Sequence, residues 1–505
     1  MKKAISVLLC VIIALSALSV GFAGAYSPSC PYIFIHGFMG KDLYSDKNDR
    51  DSEPVWPPSS DKILELVKAH IGDLLKFLVT KNYDELGDAI LGPVGELLSS
   101  ADLDPDGEVA DNSGAYMVYP PENSVTSSSE LDFNYDWRID PIEVASQLND
   151  FINFVTRASG CDKVVIECHS FGGIVVNTYT QLYGYDKIKS VCYNTTAIFG
   201  EQYTGEMMSG NIVFEGEAIS AFIKRMIGEN EYKKLLVGLI DLLDSAGVTG
   251  DIAKLGNGIV ENLGERAIKQ ILLPMFGRWL SIWAMIPDAY IDSAMDFVFN
   301  KVYKDDGVDH SKLKAKIDDY NTRIRPNKKS SLLEQDETVN TYVISRYNYP
   351  SVPLTPTWKK MSDGVVDTAS SSFGAVCAEY GDKFSDEYVA SRKDRSCVNP
   401  DLTVCSETCL FPDRTWFIKD LQHAAMPDDM EDMVRELLFY DGEATVETFD
   451  MYPRFLDFDE ESEKISPDNG TEAVQRSVFR FFYDIYLALL RIRRKIFDLI
   501  FFFRK

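Results

Sequence analysis

Histidine is scarce in this chain, with five residues in 505. Basic side chains are in short supply too: Lys plus Arg number 51 against 78 Asp plus Glu, a formal net charge of −27. An acidic surface repels phosphate backbones, so nucleic-acid binding is not expected. No internal repeat occurs. The nine cysteines have no histidine cluster beside them, which argues against a zinc site. Apolar material is plentiful, at 45% hydrophobic and 12% aromatic, and this excludes a disordered chain.

The first residues bear on compartment. Lys2 and Lys3 precede an almost wholly apolar run over 4–20, and Ala23, Gly24 and Ala25 are small, the pattern of a signal peptide cleaved after Ala25. A secreted or surface-associated chain is the expectation, with a retained anchor as the alternative. Cys10 would leave with the peptide. Of the eight cysteines left, Cys397, Cys405 and Cys409 are the disulfide candidates. Cys168 and Cys192 read as buried thiols.

Strand and helix signals alternate over 31–193, which predicts an α/β fold with a mostly parallel sheet. Strands are expected at 31–35, 116–119, 163–167 and 188–193. Helices are expected at 141–157, with Asp140 as N-cap and Pro141 in the first turn, and at 172–183. Residues 44–114 read as a helical insertion, with helical runs at 61–79 and 83–98. The expected division is a core at 26–214, a helical cap or lid at 215–335, a second core part at 336–440, an acidic linker at 441–475 and a basic helix at 476–505.

The chemistry centres on Cys168-His169-Ser170-Phe171-Gly172-Gly173, between the strand Val164-Val165-Ile166-Glu167 and a helix. That is the context of a nucleophile elbow, where a sharp turn lifts a serine hydroxyl above the sheet edge. The usual first glycine is Cys168 here. Upstream, a strand runs into His36-Gly37-Phe38, so the N–H groups of Phe38 and Phe171 are the candidate oxyanion donors. With five histidines the base follows by elimination. His36 belongs to the upstream strand, His169 adjoins the nucleophile, His70 is in the insertion and His310 ends the helical block, which leaves His423. The acid should lie between serine and histidine in the chain. Asp363 in Ser362-Asp363-Gly364 is the first choice and Asp367 its competitor.

Together with Tyr135-Asp136-Trp137-Arg138 before the elbow and Trp56-Pro57-Pro58 after the first strand, these motifs resemble the secreted lipases of the α/β-hydrolase fold, in their lecithin:cholesterol acyltransferase-like branch. The resemblance spans residues 31–438 but carries no motif over 200–335. It implies a Ser–His–Asp triad acting without cofactor on lipid esters, with hydrolysis and acyl transfer both open.

Residues 271–299 are dense in large apolar groups, including Trp279 and Trp283. These two, with Trp56, are the candidate substrate contacts; a plain helical core is the other reading. Residues 476–505 carry one apolar stripe interrupted by Arg491, Arg493, Arg494 and Lys495, which fits a helix lying on a membrane or lipid interface rather than spanning it. Asn194 and Asn469 open glycosylation sequons. A hydrolase of soluble esters or peptides, or a catalytically silent binding protein of the same fold, are the alternatives to a lipid enzyme.

Overall fold

The computed structural model describes residues 29–213, 263–264, 266–460 and 462–468. The expected signal peptide, residue 214, residues 215–262 of the helical block, Asn469 and the basic C-terminal segment lie outside them.

Eight strands form one sheet: β1 (Tyr32–Ile35), β2 (Glu130–Phe133), β3 (Val164–His169), β4 (Ile188–Asn194), β5 (Asn340–Tyr347), β6 (Thr415–Lys419), β7 (Phe455–Asp459) and β8 (Lys464–Pro467). Their order is β8-β7-β6-β5-β4-β3-β1-β2, and every pairing is parallel except β7 with β8. The protein is thus α/β with a mostly parallel sheet.

A parallel sheet covered on both faces needs apolar residues at successive positions, and β3 is buried along its whole length. Alternate residues feed two cores. Ile33, Ile35, Ile166, Cys168, Val191 and Tyr193 belong to one; Tyr32, Val165, Cys192, Tyr342, Ile344 and Trp416 belong to the other. The first is closed by the helices Pro141–Ser159 and Gly172–Tyr183, the second by the helix Asp428–Phe439. The Pro141–Ser159 helix begins where the sequence says it should. Asp140 accepts from the Ile142 N–H at 2.9 Å, Pro141 occupies the first turn, and Gly160 ends the helix at φ 70°.

Three expectations need correction. The edge strand beside β1 is Glu130–Phe133, not 116–119. Only Gly114–Ala115 is a strand there, in a small sheet with Leu43–Tyr44 and Pro54–Trp56. Pro120 and Pro121 follow directly and have no N–H for a ladder, and Val118 and Tyr119 remain exposed. The helical run predicted at 61–79 is broken at His70, into Ser60–Ala69 and Ile71–Thr80. Residues 441–475 are not a linker throughout, because they supply β7 and β8. Phe455, Leu456 and Phe458 are buried in that stretch, so acidity masked a strand pair.

The helical block is observed over 266–336, in short segments that include Leu280–Met285, Ser311–Arg323 and Lys328–Asp336. Among the described residues no helix is long and apolar enough to cross a membrane.

Candidate active site

Ser170 stands at the carboxyl end of β3, in the turn between that strand and the helix Gly172–Tyr183. Its φ is 55°, a left-handed conformation that a β-carbon disfavours and that the surrounding contacts must hold. They do so tightly. The Ser170 N–H donates to the Asn194 carbonyl at 3.2 Å, and the Ser170 carbonyl accepts from Gly173 and Ala197 at 3.1 and 3.2 Å. The neighbouring backbones come so close that a β-carbon on Gly172 would lie 2.5 Å from the Ile35 carbonyl oxygen. One on Gly37 would lie 2.6 Å from the Ser170 β-carbon. Glycine at both positions is a steric requirement.

His423 follows β6 on a short loop. Its Nδ1–H donates to Asp363 Oδ2 at 2.7 Å, and its backbone N–H donates to the Asp363 carbonyl at 3.1 Å. Asp363 is fully buried in a turn made possible by Gly364 at φ 97°. Its Oδ1 accepts from the N–H groups of Val365 and Val366 at 3.0 and 2.7 Å, and Oδ2 also accepts from the Thr195 hydroxyl. Burial alone would raise this carboxyl. The charge and hydrogen bond of His423, the Thr195 bond and the charge of Arg346 outweigh it and hold the group down at about 2. The carboxylate is therefore ionised at neutral pH and fixes the proton on His423 Nδ1, leaving Nε2 as the basic nitrogen.

Asp367, the competing acid, does not meet the histidine. Its Oδ2 accepts from the Gln202 N–H at 2.9 Å, and its own N–H donates to Glu201 at 2.9 Å. Chain position alone left both carboxylates open; tertiary contact selects Asp363.

The segment linking Asn194 and Thr195 joins the two halves of the site, since one residue holds the Ser170 N–H and the next holds Asp363. Among the described residues Ser170 Oγ makes no hydrogen bond to His423. The backbone N–H groups of Phe38 and Phe171 likewise have no acceptor there.

The His36–Lys41 loop that carries Phe38 is fastened by the Tyr135–Arg138 motif. Tyr135 donates its hydroxyl to the His36 carbonyl at 2.6 Å and stacks on the His36 ring at 4.2 Å. Trp137 donates its indole N–H to the Lys41 carbonyl at 2.9 Å. Arg138 forms a fork with Asp136, at 3.0 and 2.7 Å, and reaches the Ala101 carbonyl at 3.1 Å. All of Tyr135, Trp137 and Arg138 are fully buried. His36, pushed down to about 3 by burial, is neutral and structural.

Of the three tryptophans expected to contact substrate, Trp56 and Trp279 pack edge-on against Trp137, at 5.9 and 5.3 Å, and Trp279 also lies 5.9 Å from the Phe38 ring. Trp283 donates to the Gly277 carbonyl at 2.8 Å and stacks on Phe299, inside the helical block.

Two residues at the site escaped the sequence reading. Arg346 on β5 is fully buried. Its Nη1 donates to the carbonyls of Gln422, His423 and Ala425, the last two at 2.8 Å, and its Nη2 to Asn194 Oδ1 at 3.1 Å. Burial pulls it down only to about 10, so it stays cationic at neutral pH. His169 donates from Nε2 to the His423 carbonyl at 2.9 Å, and burial first, then His423, holds its ring neutral. Nothing in the local sequence marks either role. Asn194 is also corrected: its amide is fully buried and bonded to Glu167 at 2.8 Å, so that sequon offers no acceptor in the folded chain.

No protein-family profile matches the chain, and no curated protein matches it. Among solved structures, the crystal structure of the Tle4-Tli4 complex is similar over 35% of this chain and 48% of that chain, at 18% identity and a TM-score of 0.19. The chain thus spans about half of that one, and so shallow a likeness carries no argument about fold or activity.

Proposed function

We propose that this chain is a serine hydrolase of α/β-hydrolase architecture that cleaves or transfers the acyl group of lipid esters. The observation that carries the reading is the ionised, fully buried Asp363 bonded to His423 Nδ1, joined through Asn194–Thr195 to a serine held at positive φ on a strand–turn–helix.

In that reading His423 Nε2 takes the proton from Ser170 Oγ as the oxygen attacks the ester carbonyl carbon. The Ser170–His423 hydrogen bond is left to form with substrate, as happens in many unliganded hydrolases. The N–H groups of Phe38 and Phe171, without acceptors of their own, are suited to receive the oxyanion. Collapse expels the alcohol, which takes its proton from His423, and leaves Ser170 acylated. Water or an acceptor alcohol, deprotonated by the same nitrogen, then attacks the acyl-enzyme carbonyl and frees Ser170.

Lipid preference is supported by the apolar helical block, read as a cap, whose Trp279 meets the Phe38 ring, and by the motif resemblance to lecithin:cholesterol acyltransferase-like lipases. Export through the N-terminal segment belongs to the same reading. A fluorophosphonate probe should label Ser170 in the wild type and fail to label Ser170→Ala. Asp363→Asn should slow labelling by about three to four orders of magnitude, the loss seen when a triad acid is neutralised. Persistent labelling of another serine overturns the assignment. An ester panel of rising chain length, run above and below aggregation, separates a lipid enzyme from one acting on soluble esters.

A further inference from the structure

Between Asp363 and His423 the chain makes an excursion over residues 372–411, held by two short antiparallel strands, Val376–Cys377 and Val404–Cys405. Within it a turn folds residues 397–405 back on themselves. Asn399 Oδ1 accepts from the N–H groups of Thr403 and Val404 at 2.7 and 2.9 Å, and the Leu402 N–H donates to the Asn399 carbonyl at 3.1 Å. Val398 pairs with Cys405, and the Ser406 N–H donates to the Cys397 carbonyl at 2.8 Å. Cys397 and Cys405 are brought face to face, 3.4 Å between sulfurs, both buried.

Such a pair invites two readings, a disulfide or a metal thiolate. Cys397, Cys405 and Glu407 do lie close enough to share an ion. However, Glu407 is already taken by Arg392 at 2.8 Å, and a guanidinium held there repels a divalent cation. A structural zinc takes four ligands, and among the described residues only these three come together. We infer that Cys397 and Cys405 form a disulfide in the mature protein.

The bond forms by thiol–disulfide exchange. One thiolate attacks an external disulfide, small-molecule or oxidoreductase-borne, to give a mixed disulfide. The second cysteine then attacks the first sulfur, and the external partner leaves as two thiols. Two protons and two electrons pass from the cysteine pair to that acceptor. The crosslink closes the turn at 397–405 inside the excursion. The excursion's ends are already tied by the Leu410 N–H to the Phe373 carbonyl at 3.0 Å and the Thr408 hydroxyl to the Gly374 carbonyl at 2.6 Å. Its stabilising effect lies chiefly in limiting the unfolded chain.

The test uses the full chain made in an oxidising compartment. Free thiols are alkylated, the protein is digested without reductant, and peptides are mapped by mass. The expected result is one linked species holding Cys397 and Cys405, lighter by two hydrogens than its parts and lost on reduction. Cys397→Ser should leave Cys405 alkylatable and lower the melting temperature by a few degrees, with ester turnover retained. Two alkylated thiols in the wild type, linkage of either cysteine to Cys377 or Cys409, or one zinc per chain released with the thiols, would each overturn the inference. The wild-type map decides even if the variant does not fold.

Discussion

At the scale of single residues, the site depends on side chains that never touch the reacting atoms. Arg346 holds the carbonyls of Gln422, His423 and Ala425 in the loop that presents His423, and the amide of Asn194 behind Ser170. One guanidinium can serve four acceptors because its donors are spread over a rigid fork; an ammonium is a point donor. Arg346→Lys keeps the charge and loses the span. It is expected to lower kcat by about 10- to 100-fold, the usual result of misplacing a catalytic group by about 1 Å, with KM little changed and fluorophosphonate labelling slowed in step. A melting temperature that falls while kcat holds makes Arg346 merely structural.

The two carboxylates Asp363 and Asp367 are shifted in opposite senses. Asp363, held at about 2 in the folded state, contributes stability that is complete above its ordinary value of 3.8 and lost as pH falls toward 2. Asp367 is pushed up to about 6 by burial first, with the Asp363 charge adding to it, while Lys360 and the Gln202 N–H oppose the rise. Folded chains then hold more protons than unfolded ones between pH 3.8 and 6, so this group lowers stability as pH rises through that window. Asp367→Asn is therefore expected to flatten the fall in melting temperature from pH 4 to 6 relative to wild type. Parallel curves for the two proteins would refute this.

At the scale of elements, the strand pair β7–β8 tests how an acidic stretch enters a core. Leu456 is fully buried and pairs with Ile418 on β6, the strand that leads into the His423 loop. Leu456→Ala should cost about 2–5 kcal/mol in chemical denaturation, as truncation of a buried leucine does. A flexible linker would tolerate the change within about 0.5 kcal/mol. The helices behaved differently from the strands. Pro141–Ser159 was legible from the sequence because its cap, first-turn proline and apolar spacing are all local. The 116–119 stretch misled because strand propensity is realised only where a partner edge exists.

At the scale of the whole molecule, charge is unevenly distributed. The chain carries −27 overall, yet four basic residues fall between 491 and 495 in its last segment. We expect residues 476–505 to bind anionic interfaces, with attraction that weakens as salt rises. Vesicle co-sedimentation of the full chain, set against one ending near Thr471, measures it. Unchanged binding together with an unfolded truncation product would instead make the segment a structural helix.

The sequence by itself determined what depends on neighbours along the chain. It gave away the Ser170 elbow, because a strand, a strained turn and the crowded Gly172 must be adjacent in sequence to exist at all. It also isolated His423, because so few histidines compete. Only the tertiary structure decided between Asp363 and Asp367, made Arg346 and His169 the supports of the histidine loop, buried Asn194 and joined β7 to the sheet. Those contacts reach across 60, 77 and 254 positions for Asp363, Arg346 and His169 to His423. No local periodicity records such a distance. It is set when the sheet assembles and each buried polar group must find a partner.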